Sequence, residues 1–421
     1  MKILASVYAC SPYDGSERAV GWNWICELDK FHKITVLTSH IYRSDIEDYL
    51  KKNPNKLPNT DFIYVKVPEK ISSWHIGYRG ERLYYILWQY QAYKVAKELI
   101  KIKQYDLIHH ITYVTCILPT YMHKLNIPFL YGPVSGGENI PSIIKYPISI
   151  KNYFKEFIRN ISQNIFRITP NFHKTMNNSN LILVTTNETK AIIPKKYHNK
   201  VKKFQAIGLN QDMFYPEPII KKNNKIVKIL ISGRMIYWKG YELAIWSFIK
   251  ALKYGCNIEL TILGDIEYGN KEQQKHRDYL KSLCGEYLDK KIKFISRIEH
   301  NKMKLFYDKF DILLNCSLRD SGCFVVMEGM SRGLPVICVD TGGPKVNTTD
   351  DTAVKIKEAP IEDMINEISK AIIKLAESNE LRWQMGEKAR KYALDNFLLE
   401  SRTQKMNQFY EEIILQNIGG E

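Results

Sequence analysis

Short apolar runs alternate with longer stretches of helical periodicity along this chain, and nothing else in the sequence restricts its fold as strongly. Six such runs fall near Lys2 to Tyr8, Lys33 to Thr38, Phe62 to Val67, Leu107 to His110, Phe129 to Tyr131 and Leu181 to Thr185. A second series lies near Val227 to Ser232, Ile258 to Leu263, Ile292 to Ser296, Ile312 to Cys316, Pro335 to Val339 and Ala353 to Ile356. Strands separated by helical patterns predict parallel sheets with crossover helices, so the expected class is α/β with two doubly wound sheets in succession. The chain has 421 residues, long for a single core, which agrees with two domains. Pro216 to Lys228, rich in Pro, Lys and Asn, is the expected linker. The expected blocks are a Rossmann-like domain over 1–215, a second over 216–395, and a C-terminal helix over 396–421 that packs back on the first. Helical patterns over Ile361 to Ala376 and Leu381 to Gln416, broken around Asn396, support that ending.

Charge and cysteine usage narrow the classes. The chain carries 61 Lys and Arg against 45 Asp and Glu, a formal net charge of +16, which suits phosphates, anionic substrates or acidic lipid surfaces without choosing among them. The eight cysteines are scattered through apolar runs with no C-x-x-C pair, so they read as reduced core residues of a cytoplasmic protein, and neither a disulfide frame nor a zinc site is expected. The first ten residues, MKILASVYAC, read as a buried strand, their apolar run being too short for a signal peptide. No run approaches the ~18 apolar residues of a membrane span.

Chemistry concentrates at the ends of the expected strands. In Ile312 to Pro344 a strand runs into a small-residue loop, a helix begins near Phe324, and a second strand ends in Gly342-Gly343-Pro344. This places Asp320 and Glu328 around a helix start, where backbone N–H groups and the helix dipole favour an anion. Two carboxylates beside such a site suit the hydroxyl donors of a sugar. A plain βα loop, with Asp320 as turn-former, is the alternative; an unpartnered Glu328 in its apolar surroundings would be costly. The second series opens with ISGRMIYWKG, in which Gly233 precedes Arg234 and Lys239 follows five residues later. A guanidinium and an ammonium at the carboxyl end of the first strand of such a domain can grip a diphosphate, although two solvated surface cations would look the same. After the first strand, Gly15-Ser16 sits before a helix near Ala19, a turn that a phosphate could approach closely or an ordinary βα turn. The second strand ends Thr38-Ser39-His40, with no acidic residue for a ribose, which argues against a dinucleotide cofactor.

Taken together, GSERAVGWNW, GPVSGGE, SGRMIYWKG and DSGCFVVMEGMSRGLPVICVDTGGP resemble the retaining nucleotide-sugar glycosyltransferases of family 4, which have the GT-B fold. The resemblance covers essentially the whole chain. It implies two Rossmann-like domains facing a cleft, no metal or other cofactor, and a nucleoside diphosphate sugar as donor. It assigns Arg234 and Lys239 to the diphosphate and Glu328 to the donor ribose. Asp320 stands where relatives usually have glutamate against the donor sugar, with Ser321 and the backbone from Gly322 through Cys323 to Phe324 close to sugar and phosphates. The loop reads D-S-G-C-F where many members have E-G-F-G, which puts the donor preference in question. His109 matches the first histidine of the D-x-x-H-x-H pattern common in relatives. Ile111 replaces the second, and His110 has no simple counterpart. Both histidines are candidates for sugar contact or for a structural role. Gly136, Gly137 and Glu138 are candidates for the acceptor side, a glycine turn with a helix-capping glutamate being the alternative.

Lys145 to Lys174 interleaves Tyr153, Phe154, Phe157, Ile158, Ile161, Ile165 and Phe166 with Lys151, Lys155, Arg159 and Arg167. A helix of this kind suits an anionic membrane surface, or else a core-facing helix with a solvated basic face. The expected partners are therefore a nucleotide sugar and a glycan or lipid-linked acceptor, with the protein cytoplasmic or peripheral on the inner membrane face, in bacterial surface polysaccharide synthesis. A nucleotide-sugar epimerase on the same architecture is one rival. A basic nucleic-acid binder is another, although no nucleic-acid motif supports it.

Overall fold

The computed structural model describes residues 1–418 apart from 14, 16, 76–79, 148, 216–224, 266–269, 297 and 300–301, and apart from the side chains of 265 and 418. Two parallel sheets organise the chain. The first contains β1 (Lys2–Val7), β2 (Lys33–Ser39), β3 (Thr60–Val65), β4 (Leu107–Thr112), β5 (Phe129–Val134), β6 (Leu181–Val184) and β7 (Val201–Lys203), in the order β3-β2-β1-β4-β5-β6-β7. The second contains β8 (Val227–Arg234), β9 (Ile258–Asp265), β10 (Ile292–Ile295), β11 (Ile312–Asn315), β12 (Val336–Val339) and β13 (Ala353–Ile356), in the order β10-β9-β8-β11-β12-β13. Both sheets are doubly wound α/β, and the order reverses between β1 and β4 in one and between β8 and β11 in the other. At such a switch point neighbouring connections leave in opposite directions and open a crevice at the carboxyl edge.

The expected strands are all present, with ends shifted by a few residues. β7 is the exception: VKK has no apolar run to announce it, and it sits at a sheet edge where one paired neighbour suffices. Every residue of β4, β5, β6, β11 and β12 is buried, because helices cover both faces of a parallel sheet.

The chain divides into two compact units that interleave in sequence: 1–137, 151–207 and 400–421 form the first, and 138–150 with 208–399 the second. The C-terminal segment 400–421 thus counts with the first unit, while 138–150, which falls inside the block expected at 1–215, counts with the second. Most of the expected linker, 216–224, lies outside the described residues. The segment 138–150 counts with the second unit because Ile144 and Tyr146 are part of its core, beside Phe248 and Leu280. The Tyr146 hydroxyl donates to Glu242, whose other oxygen lies 2.8 Å from Nε2 of His276. Neither the crossing of 138–150 to the second unit nor this buried polar chain has a signature in the sequence. The eight cysteines are free. Among the described residues no helix is long and apolar enough to cross a membrane.

Candidate functional site

In the second unit the connections after β8 and β11 meet at the switch point, and two backbone features and one side-chain contact lock them together. A 3₁₀ turn over Tyr237–Lys239 ends at Gly240, with φ 67°, and a Cβ there would lie 2.0 Å from the Cys316 carbonyl oxygen, so no other residue permits this approach. The Leu318 N–H donates to the Trp238 carbonyl at 2.9 Å. The Arg319 guanidinium lies over the Trp238 ring, 4.3 Å from its centre. These contacts carry Lys239 onto Asp320: the ammonium donates to the carboxylate, and each side chain is only 17% exposed.

Asp320 also organises its own loop, since its Oδ1 accepts from the Cys323 N–H at 3.1 Å. Cys323 is left-handed, with φ 52°, and caps the helix Phe324–Ser331. The next βα connection holds the loop from outside. Gly343 donates its N–H to the Asp320 carbonyl at 2.7 Å, and Asn347 donates to the Gly322 carbonyl at 2.6 Å. A Cβ on Gly342 (φ 48°) would fall 2.2 Å from the Asp320 carbonyl oxygen, which is why a glycine stands there. The helix start is thus aimed by a clamped loop, and its first turn offers N–H donors at a positive dipole end.

Glu328 sits one turn further along this helix, buried, and accepts a 2.8 Å hydrogen bond from Tyr307. Burial, and then the neighbouring Glu328, push the Tyr307 hydroxyl pKa far up, so it stays a donor. Burial alone would discharge Lys239, but the Asp320 carboxylate outweighs it and raises the ammonium pKa. Burial likewise opposes Asp320, and Lys239 outweighs it and lowers the carboxyl pKa. The pair is ionised throughout the neutral range. Arg234 ends β8 on an exposed position, following Gly233 at φ 151°. The second unit therefore brings Gly233, Arg234, Lys239, Asp320 to Phe324 and Glu328 to one sheet edge.

The other expected residues are distributed differently. Glu138 belongs to the second unit, where it is buried and its Cγ would lie 3.5 Å from a Cβ on Gly342; it stands beside the Asp320 loop instead of with its neighbouring glycines. Gly137 is a packing glycine of the first unit, since a Cβ there would strike the Glu188 carbonyl oxygen at 2.3 Å. The Gly136 carbonyl accepts from Gln163 at 2.6 Å. Gly15 is exposed in a loop with open space where a Cβ would be, and Ser16 lies outside the described residues.

Both strand histidines are internal to the first unit. His109 is fully buried, with Nδ1 2.7 Å from the Tyr410 hydroxyl and Nε2 2.6 Å from the Gly132 carbonyl. Burial brings its pKa down to about 3, the Gly132 carbonyl acting in the opposite sense. His110 is buried too, its Nε2 3.5 Å from the Tyr85 hydroxyl and its pKa lowered to about 4 by burial. With both ring nitrogens of His109 engaged by the protein, the structural role fits it and sugar contact does not.

Sequence reading missed a polar cluster at the switch point of the first unit. Tyr8, at the end of β1, and Tyr113, after β4, each donate at 2.7 Å to the same oxygen of Glu81, while His75 Nε2 lies 2.9 Å from the other. Glu17, opening the helix Glu17–Leu28, accepts from the Val114 N–H, and burial raises its pKa to about 7. Tyr307 and Asn347 were also missed. Apart from His75 with Glu81, they act through contacts between residues distant in sequence, and the available hint is the high tyrosine count of 27.

Residues 217–392 match the model of the family described as Glycosyl transferases group 1. Among curated proteins, the uncharacterized glycosyltransferase MJ1069 of Methanocaldococcus jannaschii is 27% identical over 220 residues, 51% of each chain. Protein CapJ of Staphylococcus aureus is 23% identical over 232 residues, 54% of this chain and 55% of that one. The chain thus spans about half the length of the curated relatives it matches. Among solved structures, sucrose-phosphate synthase from Thermosynechococcus elongatus superposes with a TM-score of 0.68 at 16% identity, covering 99% of both chains. HepE of Anabaena in complex with UDP and glucose gives 0.60 at 14% identity, over 98% of this chain and 99% of that one. Similarity at this level establishes the fold, which is GT-B with two Rossmann-like domains.

Proposed function

We propose that this chain, whose residues 217–392 match the model of the glycosyl transferases group 1 family, is a retaining glycosyltransferase moving a sugar from a nucleoside diphosphate donor to a glycan or lipid-linked acceptor. The observation that carries the reading is the Lys239–Asp320 pair, held at the β8/β11 switch point beside a clamped helix start and the buried Glu328. A diphosphate needs cations and N–H donors at a strand's carboxyl end, and a sugar with its ribose needs acceptors within a few ångströms of them. Both requirements meet on this edge. That HepE binds UDP, and UDP-glucose in another complex, supports a nucleotide sugar as the donor.

In this reading Arg234 and Lys239 take the diphosphate, Glu328 the ribose and Asp320 the donor sugar. As the glycosidic bond breaks, negative charge develops on the leaving diphosphate, and fixed cations with the dipole of the Phe324–Ser331 helix stabilise it more than they stabilise the ground state. Asp320 then has two duties, because the carboxylate that meets the sugar also orients the lysine that meets the phosphate. Among the described residues no side chain on this edge is placed as a nucleophile, so front-face attack with the leaving phosphate as base suits it. The charge compensation is supplied by protein groups, and transfer is expected to persist in chelator. An acceptor carried on a lipid would be met at a membrane surface, within bacterial surface polysaccharide or lipopolysaccharide synthesis, by a cytoplasmic protein.

Incubation of the purified chain with a panel of nucleotide sugars and lipid-extract acceptors, followed by product analysis with and without acceptor, tests the proposal. A glycosylated acceptor of retained anomeric configuration is expected. Conversion of the donor to another sugar without acceptor would favour an epimerase instead.

A further inference from the structure

The helix α1 (Ile150–Ile168) is built inside out. Its apolar stripe runs from Ile150 through Phe154, Phe157, Ile161 and Ile165 to Ile168, the spacing of one helical face, and it points outward, with exposures from 43% at Ile161 to 89% at Ile150. The polar side is the one that packs. Gln163 is the buried residue of the helix, and it donates to the Gly136 carbonyl at 2.6 Å. Arg159 and Glu156, 3.9 Å apart, are only 16% and 13% exposed. Of the two alternatives the sequence allowed, a core-facing helix with a solvated basic face is therefore excluded.

A continuous apolar face on 19 residues, about 28 Å long, exceeds what a soluble surface normally leaves in water and needs a cover. Charge identifies the cover. Residues 145–174 carry six Lys or Arg against one Glu, and the exposed Lys151 and Lys155 border the stripe along one side. A second copy of the chain would bring the same cations face to face, whereas an anionic bilayer meets both the stripe and its border. The helix carries Lys151, Lys155, Glu156, Arg159 and Arg167, too many charges to cross a membrane, so it lies in the interface.

We infer that α1 is an interfacial anchor whose outward apolar stripe enters an anionic lipid surface while Lys151 and Lys155 engage the headgroup phosphates. This does not rest on the transferase reading, since binding requires neither donor nor acceptor.

Co-sedimentation of the full chain with vesicles of phosphatidylcholine alone, and of phosphatidylcholine mixed with phosphatidylglycerol, tests it without any sugar present. The mixed vesicles are expected to retain the wild type and the neutral ones to retain it weakly. Phe154→Asp with Phe157→Asp, and separately Lys151→Glu with Lys155→Glu, should each lower partitioning on the order of tenfold or more. All four positions are exposed, so an unchanged melting temperature is expected and would show that the variants fold. Three results overturn the inference: no retention of the wild type on mixed vesicles, wild-type retention by both variants, or a wild-type dimer that dissociates in the aspartate variant without vesicle binding by either.

Discussion

Lys239 and Asp320 keep each other charged, and the donor chemistry proposed for this edge depends on that coupling. Lys239→Ala should lower kcat by about 100-fold, the scale at which a preorganised charge acts on a leaving group; near-normal turnover in a coupled nucleoside diphosphate release assay would remove the diphosphate assignment. Glu328→Gln keeps the size of the side chain and can still accept from Tyr307, so the fold should stand while donor affinity drops by about tenfold. Titration calorimetry with the donor decides this, and unchanged affinity argues against a ribose contact. Asp320 is one methylene shorter than the glutamate usual in the glycosyltransferases that the sequence resembles, and that short carboxylate meets two partners at once, Lys239 and the Cys323 N–H. Asp320→Asn should therefore impair turnover as well as donor selectivity.

At the scale of elements, the site exists because two βα connections are pressed into contact, and Gly240 is where the pressure is greatest. Gly240→Ala combines a left-handed backbone with a Cβ 2.0 Å from the Cys316 carbonyl oxygen, so the second unit should lose about 2 kcal/mol or more of stability, read from denaturant unfolding. The strands that build this edge were legible in the sequence, because fully buried parallel strands appear as uninterrupted apolar runs bounded by turn residues. The motif residues that follow β8 and β11 were legible for a related reason: they stand at the carboxyl ends of such runs, where doubly wound sheets take their ligands. What was not legible depends on residues far apart in the chain. Tyr307 faces Glu328, Asn347 holds Gly322, and Tyr8 and Tyr113 share Glu81, and none of these pairs has a spacing or a composition that marks it. His109 shows the converse, a residue whose position suggests chemistry but whose ring nitrogens are both engaged inside the first unit.

At the scale of the whole molecule, buried neutral histidines make the first unit acid-labile. Unfolded histidine has a pKa near 6.5, whereas His109 and His110 are brought down to about 3 and about 4 by burial, so between those values the unfolded chain binds protons that the folded chain does not. The sign follows: their contribution to stability is complete above about pH 6.5 and is lost as the pH falls through this window. Denaturant midpoints of the wild type should decline from pH 7.5 to pH 5, and a His109→Gln variant should show a shallower decline. The interleaved units are joined by this one chain, and the proposed activity requires the second of them to hold a nucleoside diphosphate. The most direct measurement is a thermal-shift panel of nucleoside diphosphates and their sugars on the wild type and on Lys239→Ala, since a ligand that binds only the folded form raises the melting temperature. At least one donor should stabilise the wild type by several degrees, about the effect of ligand at 100 times its Kd, and stabilise Lys239→Ala far less. Silence across the panel, or equal stabilisation of both proteins, would contradict it.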